Sequence, residues 1–549
     1  MSKCLWLTVA MAMAWLAMPL AASEASADVE ERLRRLEKLV ERQQADLAQK
    51  DQQIMHLQSS AKGQDALAQK ISSLESGMYF AEGEKKPDDN TFKVYWKEGL
   101  KFTTANKDFN LALGGRIMWD WTFPMEDSRI SDSLSEQENS TEFRRVRLFF
   151  GGDIYKNAFF KLQMDFAEDG DNTVEFKDVY MGLKNIPGLG TATIGNQYEP
   201  VGLEEQTSSK YITFMERSML SDAFIPSRNP GISFSNNHFD SRLGWKVGVF
   251  REGNVTGEDT RDDTDDNVDD DAGDVDAAFF PSDGQANWAF SGRVWGQPWY
   301  QDDGKKMVHL GLSGRHYTPP DKRFRFRARP EVRVDRFVDT GTLTADSISL
   351  LGAEMAFVYK NWSLQAEYVG AWVDRDIGVF TDDPSGPDLL DDNADDAFLH
   401  GFYVFGSYFI TGESRKYKQS SGLFDRVKPK KNFWVGDGIG LGAWEVALRY
   451  SWLNLDSNGF DPDDAAGITD PHQTRVRGGL IQNVTAGVNW YLNPNMRFMW
   501  NYVYTNLEDG DPNSVSVGSP PPGNAEASGV GLRVNGIMHA FMMRFQIDF

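Results

Sequence analysis

The chain of 549 residues has one cysteine and, beyond its amino-terminus, no long apolar run. Because Cys4 lies within the predicted signal peptide, the sequence predicts a mature protein without disulfides, cysteine metal ligands or a cysteine nucleophile. No later segment reaches the ~20 consecutive apolar residues of a membrane-spanning helix. The mean hydropathy is −0.48. Hydropathy alone would place the chain among soluble proteins.

Catalytic and metal-binding patterns are also sparse. The sequence has seven histidines but no H-E-x-x-H, G-x-S-x-G or P-loop motif. The acidic run 258–276 lacks the Asp/Asn and Gly spacing of a calcium-binding loop. We therefore predict no catalytic residue, no metal site and no cofactor. An enzyme interpretation has no side-chain cluster to support it.

The first 108 residues differ in composition from the rest. Lys3, the apolar stretch 5–20 and an A-x-A site at 25–27 predict a secretory signal peptide over 1–27, with 20–22 as a less regular cleavage site. In 28–80, apolar residues at 3-4 spacing predict a coiled coil, and a solvated amphipathic helix without a partner is the alternative. Residues 81–108 are expected to form a linker and the approach to the next domain.

The carboxy-terminal residues introduce the pattern that dominates the remainder. One face of this segment, read as a strand, is entirely apolar, and the other becomes increasingly polar. The apolar set is Phe541, Met543, Phe545, Ile547 and Phe549. A soluble sandwich strand can show the same alternation. An aromatic carboxy-terminus and an aromatic content of 13% are more typical of outer-membrane barrels.

Period-two segments recur from residue 109 onward. Their charged members, such as Arg116, Asp120, Lys161 and Lys246, fall opposite the apolar face and would line an aqueous channel. The fold class predicted for 109–549 is therefore all-β, a transmembrane antiparallel barrel of about 14 to 18 strands, with about 16 as the expectation. The excursions 124–141, 252–285, 376–397, 456–475 and 508–528 are predicted as external loops, and 493–495 as a short periplasmic turn.

Two charged segments bear on function. Arg323, Arg325, Arg327 and Arg329 alternate with other residues, so a strand would place four guanidinium groups on one face. This row is either an anion track or a solvated rim that binds lipopolysaccharide. The net charge of −24 opposes a simple anion-attracting surface. However, selectivity depends on local charge in a constriction, and the acidic run 258–276 need not line the pore.

Short motifs in a fixed order resemble the phosphate-selective porin O/P family of Gram-negative outer-membrane proteins, from about residue 109 to the end. The motifs with the most bearing on function are Leu113-Gly114-Gly115-Arg116, Phe143-Arg144-Arg145, Thr207-Ser208-Ser209-Lys210 and Arg327-Ala328-Arg329-Pro330. Further matches are 202–204, 411–418, 442–445 and 487–491.

The resemblance implies a homotrimer of 16-stranded barrels that passes inorganic phosphate, polyphosphate or other small anions by passive diffusion. By position in the motifs, it makes Lys210 the constriction lysine and supplies the members of an arginine ladder. These are Arg116, Arg144, Arg145, Arg327 and Arg329, with Arg323 and Arg325 as further candidates. It also implies insertion by the barrel assembly machinery, contact with outer-membrane lipid and lipopolysaccharide, and a coiled coil in the periplasm. No nucleic-acid partner is expected.

Two alternatives stay open. The same scaffold would also suit a general or cation-tolerant diffusion pore. A protein of a different class, a structural tether that joins the outer membrane to the periplasm through the coiled coil, also fits the domain order. A tether forms no pore, and a cation pore has a reversal potential of the opposite sign.

Overall fold

The protein is described from a computed structural model. The structure describes residues 91–134, 136–167, 174–251, 288–319, 323–341, 343–375, 396–434, 440–457, 476–510 and 534–549. The predicted signal peptide, the predicted coiled coil and the acidic run 258–276 lie outside these ranges. So do most of the external loops predicted beyond residue 251.

Sixteen long strands form the body of the molecule. They are β1 (Phe109–Glu126), β2 (Ser140–Ile154), β3 (Ala158–Asp165), β4 (Glu175–Ile186), β5 (Gly190–Tyr198), β6 (Arg228–His238), β7 (Leu243–Arg251), β8 (Trp288–Gln301), β9 (Lys306–Tyr317), β10 (Ser347–Tyr359), β11 (Trp362–Asp374), β12 (Ala397–Phe409), β13 (Ala443–Asp456), β14 (Arg477–Asn493), β15 (Met496–Gly510) and β16 (Val534–Asp548). None of the helices in the described ranges is long and apolar enough to cross a membrane.

The strands close into a barrel. Each pairs antiparallel with its neighbours along the chain, and β16 pairs with β1 in a register that places Asp548 opposite Arg116. The seam continues to the last residue. The Phe549 amide donates to the Gly115 carbonyl (3.1 Å), and the Gly115 amide donates to the Phe549 carbonyl (2.7 Å). Closure removes the unpaired edges that lipid cannot satisfy. The predicted barrel of about sixteen strands, closed by the carboxy-terminal strand, is confirmed.

Side chains alternate across the wall as the sequence predicts. On the two strands of the seam, Trp119 and Phe541 are 39% and 38% exposed, whereas Asp120 and Arg544, on the other face of the same strands, are 4% and 0% exposed. The ladder pairs the backbone amides and carbonyls, so an outer surface of apolar side chains can face hydrocarbon. The polar set is directed into the barrel.

The two ends of the barrel carry different connections. At the end where β1 begins and β16 stops, six hairpins close in two to four residues. One is the predicted turn at 493–495, since β14 ends at Asn493 and β15 begins at Met496. The strand ends that flank the predicted external loops all lie at the opposite end. The first is shorter than predicted because β1 extends to Glu126 and β2 begins at Ser140, with helix α1 (Ser128–Leu134) between them.

A hairpin precedes the barrel. Its strands, Phe92–Trp96 and Leu100–Thr104, pair with each other, and the second pairs with the start of β1 so that Leu100 lies opposite Leu113. This hairpin occupies part of the segment 81–108, which was expected to be the linker and the approach to the barrel. It continues the sheet beyond the point where β16 ends.

Three connections fold into the barrel. The connection 199–227 contains helices α2 (Leu203–Gln206) and α3 (Met219–Phe224). Within 318–346, the two-residue strands Arg323–Phe324 and Arg327–Ala328 pair with Leu343–Thr344 and Val338–Asp339. The long connection 410–442, at the end with the short hairpins, pairs Tyr417–Lys418 with Leu423–Phe424. The described chain also contains the 3₁₀ turns Asp302–Gly304 and Gln419–Ser421.

The arginines at 323–329 do not form the single strand that their spacing suggested. Phe326 packs edge-to-face on Phe224 with ring centroids 5.2 Å apart, inside a hydrophobic core that also buries Phe324 and Ala328. The Arg325 guanidinium donates to both oxygens of Asp339, at 2.8 and 2.5 Å. Burial of the intervening apolar side chains therefore breaks the segment into short pieces, and an acidic partner offsets the charge of Arg325.

Candidate functional site

The connection 199–227 is held across the barrel through its own backbone. Five of its carbonyl oxygens accept hydrogen bonds of 2.5–3.3 Å from inward-directed side chains of β13 to β16. The pairs are Lys210 with Gln546, Ile212 with Arg497, Thr213 with Asn489, Met215 with Arg544, and Glu216 with Arg449. A buried segment without regular structure needs such partners for its carbonyls. They fix its path from one side of the lumen.

Two buried carboxylates fix the start of the same connection. Glu367 of β11 accepts the backbone amides of Leu203 and Glu204, both at 2.7 Å. The carboxylate of Glu204 then accepts the amide (2.9 Å) and the hydroxyl (2.8 Å) of Ser218, the residue that caps α3. Each acceptor satisfies donors that a short helix leaves unpaired at its first turn.

Arg217 holds α2 and the residue that follows it. Its guanidinium donates to the carbonyls of Glu204 (3.3 Å), Glu205 (2.9 Å) and Thr207 (3.1 Å) and forms an ion pair with the Glu205 carboxylate. The planar fork of arginine suits several fixed acceptors at once. The next residue along the chain, Ser208, is thereby placed at a defined point on the inner wall.

The segment Thr207-Ser208-Ser209-Lys210 meets the predicted ladder residue Arg116. The Arg116 Nη1 donates to the hydroxyls of Ser209 (2.5 Å) and Ser208 (3.5 Å). Across the part of the wall that the structure describes, Arg116 has no ion pair within 4.0 Å. Its charge is therefore available to a bound anion. Lys210 follows Ser209 on this infolded connection.

Lys210 lies beside a single carboxylate. Its Nζ is 4.0 Å from Oδ2 of Asp548, and its side chain is 14% exposed. Burial lowers the pKa of Lys210 to about 8, and the nearby charge of Arg116 acts in the same direction. The ammonium also lies 5.3 Å from the centroid of the Tyr211 ring. Lys210 is therefore charged at neutral pH, but only by a narrow margin.

A cavity of about 330 Å³ lies between this segment and the wall formed by β1 and β3 to β7. Four cationic side chains and one carboxylate line it, an excess of three positive charges. The charged residues are Arg116, Lys161, Arg228, Lys246 and Asp178. Its neutral lining includes the hydroxyls of Ser208 and Ser209 and the amides of Gln197 and Gln206. We call this space the wall cavity.

Asp178 offsets part of the charge. Its carboxylate pairs with Nζ of Lys161 and, at 2.5 Å, with Nε of Arg228. Lys246 differs, since its Nζ donates to the Tyr198 carbonyl at 2.9 Å and has no carboxylate within 4.0 Å in the described chain. Arg116 and Lys246 are thus the cations of the wall cavity with the most unused binding capacity.

Prediction from motifs missed Lys161, Asp178, Arg228 and Lys246 as site residues. Strand alternation gave the correct inward direction for Lys161 and Lys246. It carried no information on Asp178, because β4 is irregular near that residue and both Lys177 and Asp178 are buried. Alternation therefore identified some lining residues but not the site.

Arg144 and Arg145 lie on β2 at an irregularity. The register skips Arg144, since Met118 faces Arg145 and Trp119 faces Phe143. Arg144 forms a two-point pair with Glu216, at 3.1 and 3.2 Å. Although burial alone would raise it, the charges of Arg144 and Arg544 hold the pKa of the Glu216 carboxyl well below its usual range. Glu216 therefore neutralises much of the charge of Arg144.

The environment of Arg145 is different. It is 5% exposed, and its Nη1 lies 3.9 Å from the sulfur of Met118. Among the residues that the structure describes, it has no carboxylate within 4.0 Å. Of the two adjacent arginines, Arg145 is therefore the one whose charge is available to a bound anion.

Arg327 and Arg329 lie on the infolded connection 318–346. Arg327 is opposite Asp339 in the short strand pair. The Arg329 amide donates to Asp222 of α3 (2.8 Å), and its Nε donates to the Val334 carbonyl (2.9 Å). The structure thus brings Arg116 together with Lys210 and places Arg327 and Arg329 on a separate segment. The functional role of all the predicted site residues stays a prediction.

In the described chain, no group of three or more His, Cys, Asp or Glu side chains is arranged to hold a metal ion. The arrangement found instead is a closed transmembrane barrel with an apolar outer surface, an infolded connection and a cation-rich inner cavity. Together these features define the porin class of outer-membrane channel.

The chain belongs to the family "Phosphate-selective porin O and P", whose model matches residues 111–517. It is 25% identical over 438 residues to Porin O of Pseudomonas aeruginosa, covering 77% of this chain and 88% of that protein. It is 26% identical over 439 residues to an uncharacterized protein of Caulobacter vibrioides, covering 78% and 74% of the two chains. The family and the barrel indicate a channel rather than an enzyme.

Solved porin structures resemble this chain with TM-scores below 0.5. The anion-selective porin from Comamonas acidovorans has a TM-score of 0.44 and 12% identity, covering 80% of this chain and all of that one. The trimeric form of OmpT from Vibrio cholerae has a TM-score of 0.41 and 12% identity, covering 80% and 99%.

Proposed function

We propose that the protein forms a passive, anion-preferring pore in the outer membrane, with inorganic phosphate or another small anion as its solute. One observation carries the preference: the wall cavity holds four cationic side chains against one carboxylate, in a chain whose net charge is −24. Ion selectivity follows the charges that line a narrow passage rather than the charge of the whole molecule.

In this proposal Lys210 and Arg116 form the principal anion site. Their charges are only partly offset, and Ser208 and Ser209 add hydroxyl donors beside them. An ammonium holds an anion as a compact charge, whereas a guanidinium passes it on through forked hydrogen bonds. Arg145 extends the path towards the loop end. Arg144 contributes less because Glu216 already occupies its guanidinium.

Arg327 and Arg329, with Arg323 and Arg325, would form the outer part of the ladder. The segment that carries them packs against α3, directly after the part of 199–227 that holds Lys210. Arg325 is the weakest candidate of the set because its Nε and Nη2 already donate to the two carboxylate oxygens of Asp339. This part of the pathway rests on the family resemblance more than on contacts.

A neutralisation series tests the proposal. Arg116→Gln, Lys161→Gln and Lys246→Gln each remove one positive charge from the wall cavity and keep a polar side chain of similar reach. The chloride-to-potassium permeability ratio in planar bilayers should fall stepwise as the three changes are combined. Lys428→Gln, in a side chain that is 62% exposed at the end with the short hairpins, is the matched control and should leave the ratio unchanged. An unchanged ratio in the triple variant would exclude the wall cavity as the selectivity region.

The second candidate is a general or cation-tolerant pore. Asp178 and Asp548 favour it, since each places a carboxylate beside the proposed anion site. If this function is correct, Asp178→Asn rather than the cation series should control the permeability ratio. The same bilayer recordings distinguish the two, because a cation-tolerant pore changes its ratio in Asp178→Asn and not in the cation series.

The wider assembly is also proposed from the family resemblance. It comprises a homotrimer inserted by the barrel assembly machinery, in contact with outer-membrane lipid and lipopolysaccharide, with the segment 28–80 as a periplasmic coiled coil. A tether without a pore remains the competing function for that segment. Barrel trimers that conduct normally after deletion of 28–80 would separate the channel from any tethering role.

A further inference from the structure

We propose that the wall cavity binds an organic phosphate monoester, an anion that carries a small apolar body, more tightly than it binds inorganic phosphate. This inference rests on the proposed anion pore and names the class of solute. The cavity has two chemically different sides, one cationic and one with aromatic rings, and a simple oxyanion uses only the first.

The cationic side provides a place for the phosphoryl group. Arg116 donates to the hydroxyls of Ser208 and Ser209, so its guanidinium and the two hydroxyls point into one region. Lys161 on β3 and Lys246 on β7 line the same cavity. A dianionic phosphoryl group has enough acceptor oxygens to use several of these donors together.

The other side is formed by Phe159, Tyr180 and Leu423. The rings of Phe159 and Tyr180 meet edge-to-face with centroids 6.2 Å apart. Phe159 lies across the strand from Gly182, where a Cβ atom would come within 2.5 Å of the ring. A glycine is therefore required for the ring to lie flat on the wall. The Phe159 ring therefore presents an apolar surface to the wall cavity, next to the cations, and does not pack in the hydrophobic core.

The register of β3 with β4 places the cationic side of the wall cavity next to its aromatic side. Tyr180 is directly opposite Lys161 in the pairing of β3 with β4, and Phe159 is two residues before Lys161 on the same face. A ligand whose phosphoryl group contacts Lys161 would therefore have its remaining atoms beside both rings. In the described chain the Tyr180 hydroxyl has no hydrogen-bond partner, so it is available to an ester or hydroxyl oxygen of the ligand.

The volume of the wall cavity supports the same class of solute. The cavity volume of about 330 Å³ is equivalent to about ten water molecules at roughly 30 Å³ each. It also lies at the lower end of the range for small-molecule pockets, roughly 300–1,000 Å³. A single phosphate ion leaves most of this space to water. A phosphate monoester with a ring or a short carbon chain fills it and buries apolar surface against the two aromatic rings.

The test is block of chloride current by three probes in planar bilayers: inorganic phosphate, pyrophosphate and phenyl phosphate. Phenyl phosphate should half-block at a concentration at least about tenfold lower than inorganic phosphate, from apolar burial on the rings. Pyrophosphate carries more charge but no apolar body. A gain for pyrophosphate equal to that for phenyl phosphate would overturn the inference and assign the cavity to polyphosphate.

Two variants separate this inference from the proposed function. Phe159→Ser should abolish the advantage of phenyl phosphate and leave block by inorganic phosphate within about twofold. Lys161→Gln should weaken block by both probes together. Equal block by the two probes in the unmodified protein, or equal loss for both in Phe159→Ser, would overturn the organic-ester inference while anion selectivity stands. Absence of block by all three probes would also overturn the inference, whereas a zero-current potential of the sign expected for a cation-preferring pore would remove the proposed function.

Discussion

Replacement of Lys210 tests whether one ammonium controls anion preference. Because burial lowers the pKa of Lys210 to about 8, the side chain should be about 90% charged at pH 7 and about 10% charged at pH 9. The charge is present below this pKa and is lost as the pH rises through it. We expect the chloride-to-potassium permeability ratio to fall over the same interval.

The size of the effect follows from Coulomb's law. A monovalent anion about 5 Å from Nζ gains roughly 1 kcal/mol in bulk water and roughly 3 kcal/mol at the effective dielectric of a protein surface. These energies correspond to about fivefold and about 150-fold changes in local anion occupancy. Since the Lys210 side chain is 14% exposed and has Asp548 at 4.0 Å, we expect a value in the lower half of this range.

The assay is the zero-current potential across a planar bilayer in a potassium chloride gradient, since chloride does not titrate. Lys210→Arg is the matched variant because a guanidinium remains charged throughout this pH range. It should retain anion preference and show a smaller decrease near pH 8 than the unmodified protein. Lys210→Gln should give a low ratio with a similarly reduced pH dependence, and Lys210→Glu should reverse or abolish the preference. If the decrease near pH 8 is as large in Lys210→Arg as in the unmodified protein, another group titrates and Lys210 is not the controlling charge.

Three further outcomes are expected. Glu367→Ala leaves two buried amides of the infolded connection without an acceptor, which costs about 1–3 kcal/mol for each amide. The open-channel current noise should therefore rise. Glu367→Gln, which keeps one acceptor, should give a smaller increase. Removal of Phe549, whose amide and carbonyl pair with Gly115, should reduce heat-modifiable trimers in the outer membrane, and normal trimer yields would contradict its role in closure. A peptide covering 29–74 should form trimers in sedimentation equilibrium, and a peptide that stays monomeric at high concentration would rule out the coiled coil.

Fold class was predictable because one physical rule governs every strand. A wall between lipid and water needs apolar and polar side chains at alternate positions, and the sequence shows this from β1 to the final residue. Trp119 and Asp120 were placed correctly on opposite faces for this reason. Closure by β16 followed from the same alternation combined with an aromatic terminus.

The connections were not predictable in the same way. The infolding of 199–227 depends on acceptors and donors from strands that are distant in sequence, such as Glu367 for the amide of Leu203. No local pattern encodes those pairings. The connection 410–442 was missed for the same reason. The arginine row at 323–329 was misinterpreted because alternation does not distinguish a lipid-facing apolar set from one buried against a helix inside the barrel.

The same contrast between local patterns and distant contacts applies to the site residues. Arg116 and Lys210 were found through motifs, and the structure places both beside Ser208 and Ser209. Asp178, which pairs with two of the cations, has no motif and lies at a strand irregularity. The partners of the arginines were not predictable either, since only the structure shows that Glu216 pairs with Arg144 and that, among the described residues, no carboxylate lies within 4.0 Å of Arg145.

The central claim is that the protein is an anion-preferring pore, and one measurement tests it most directly. The zero-current potential of the purified, unmodified protein is recorded in a planar bilayer with a tenfold potassium chloride gradient at pH 7. The account predicts that the dilute side becomes negative, because chloride crosses faster than potassium. A positive dilute side would show a cation-preferring pore, and the absence of any conductance would show that the barrel forms no channel; either result contradicts the account.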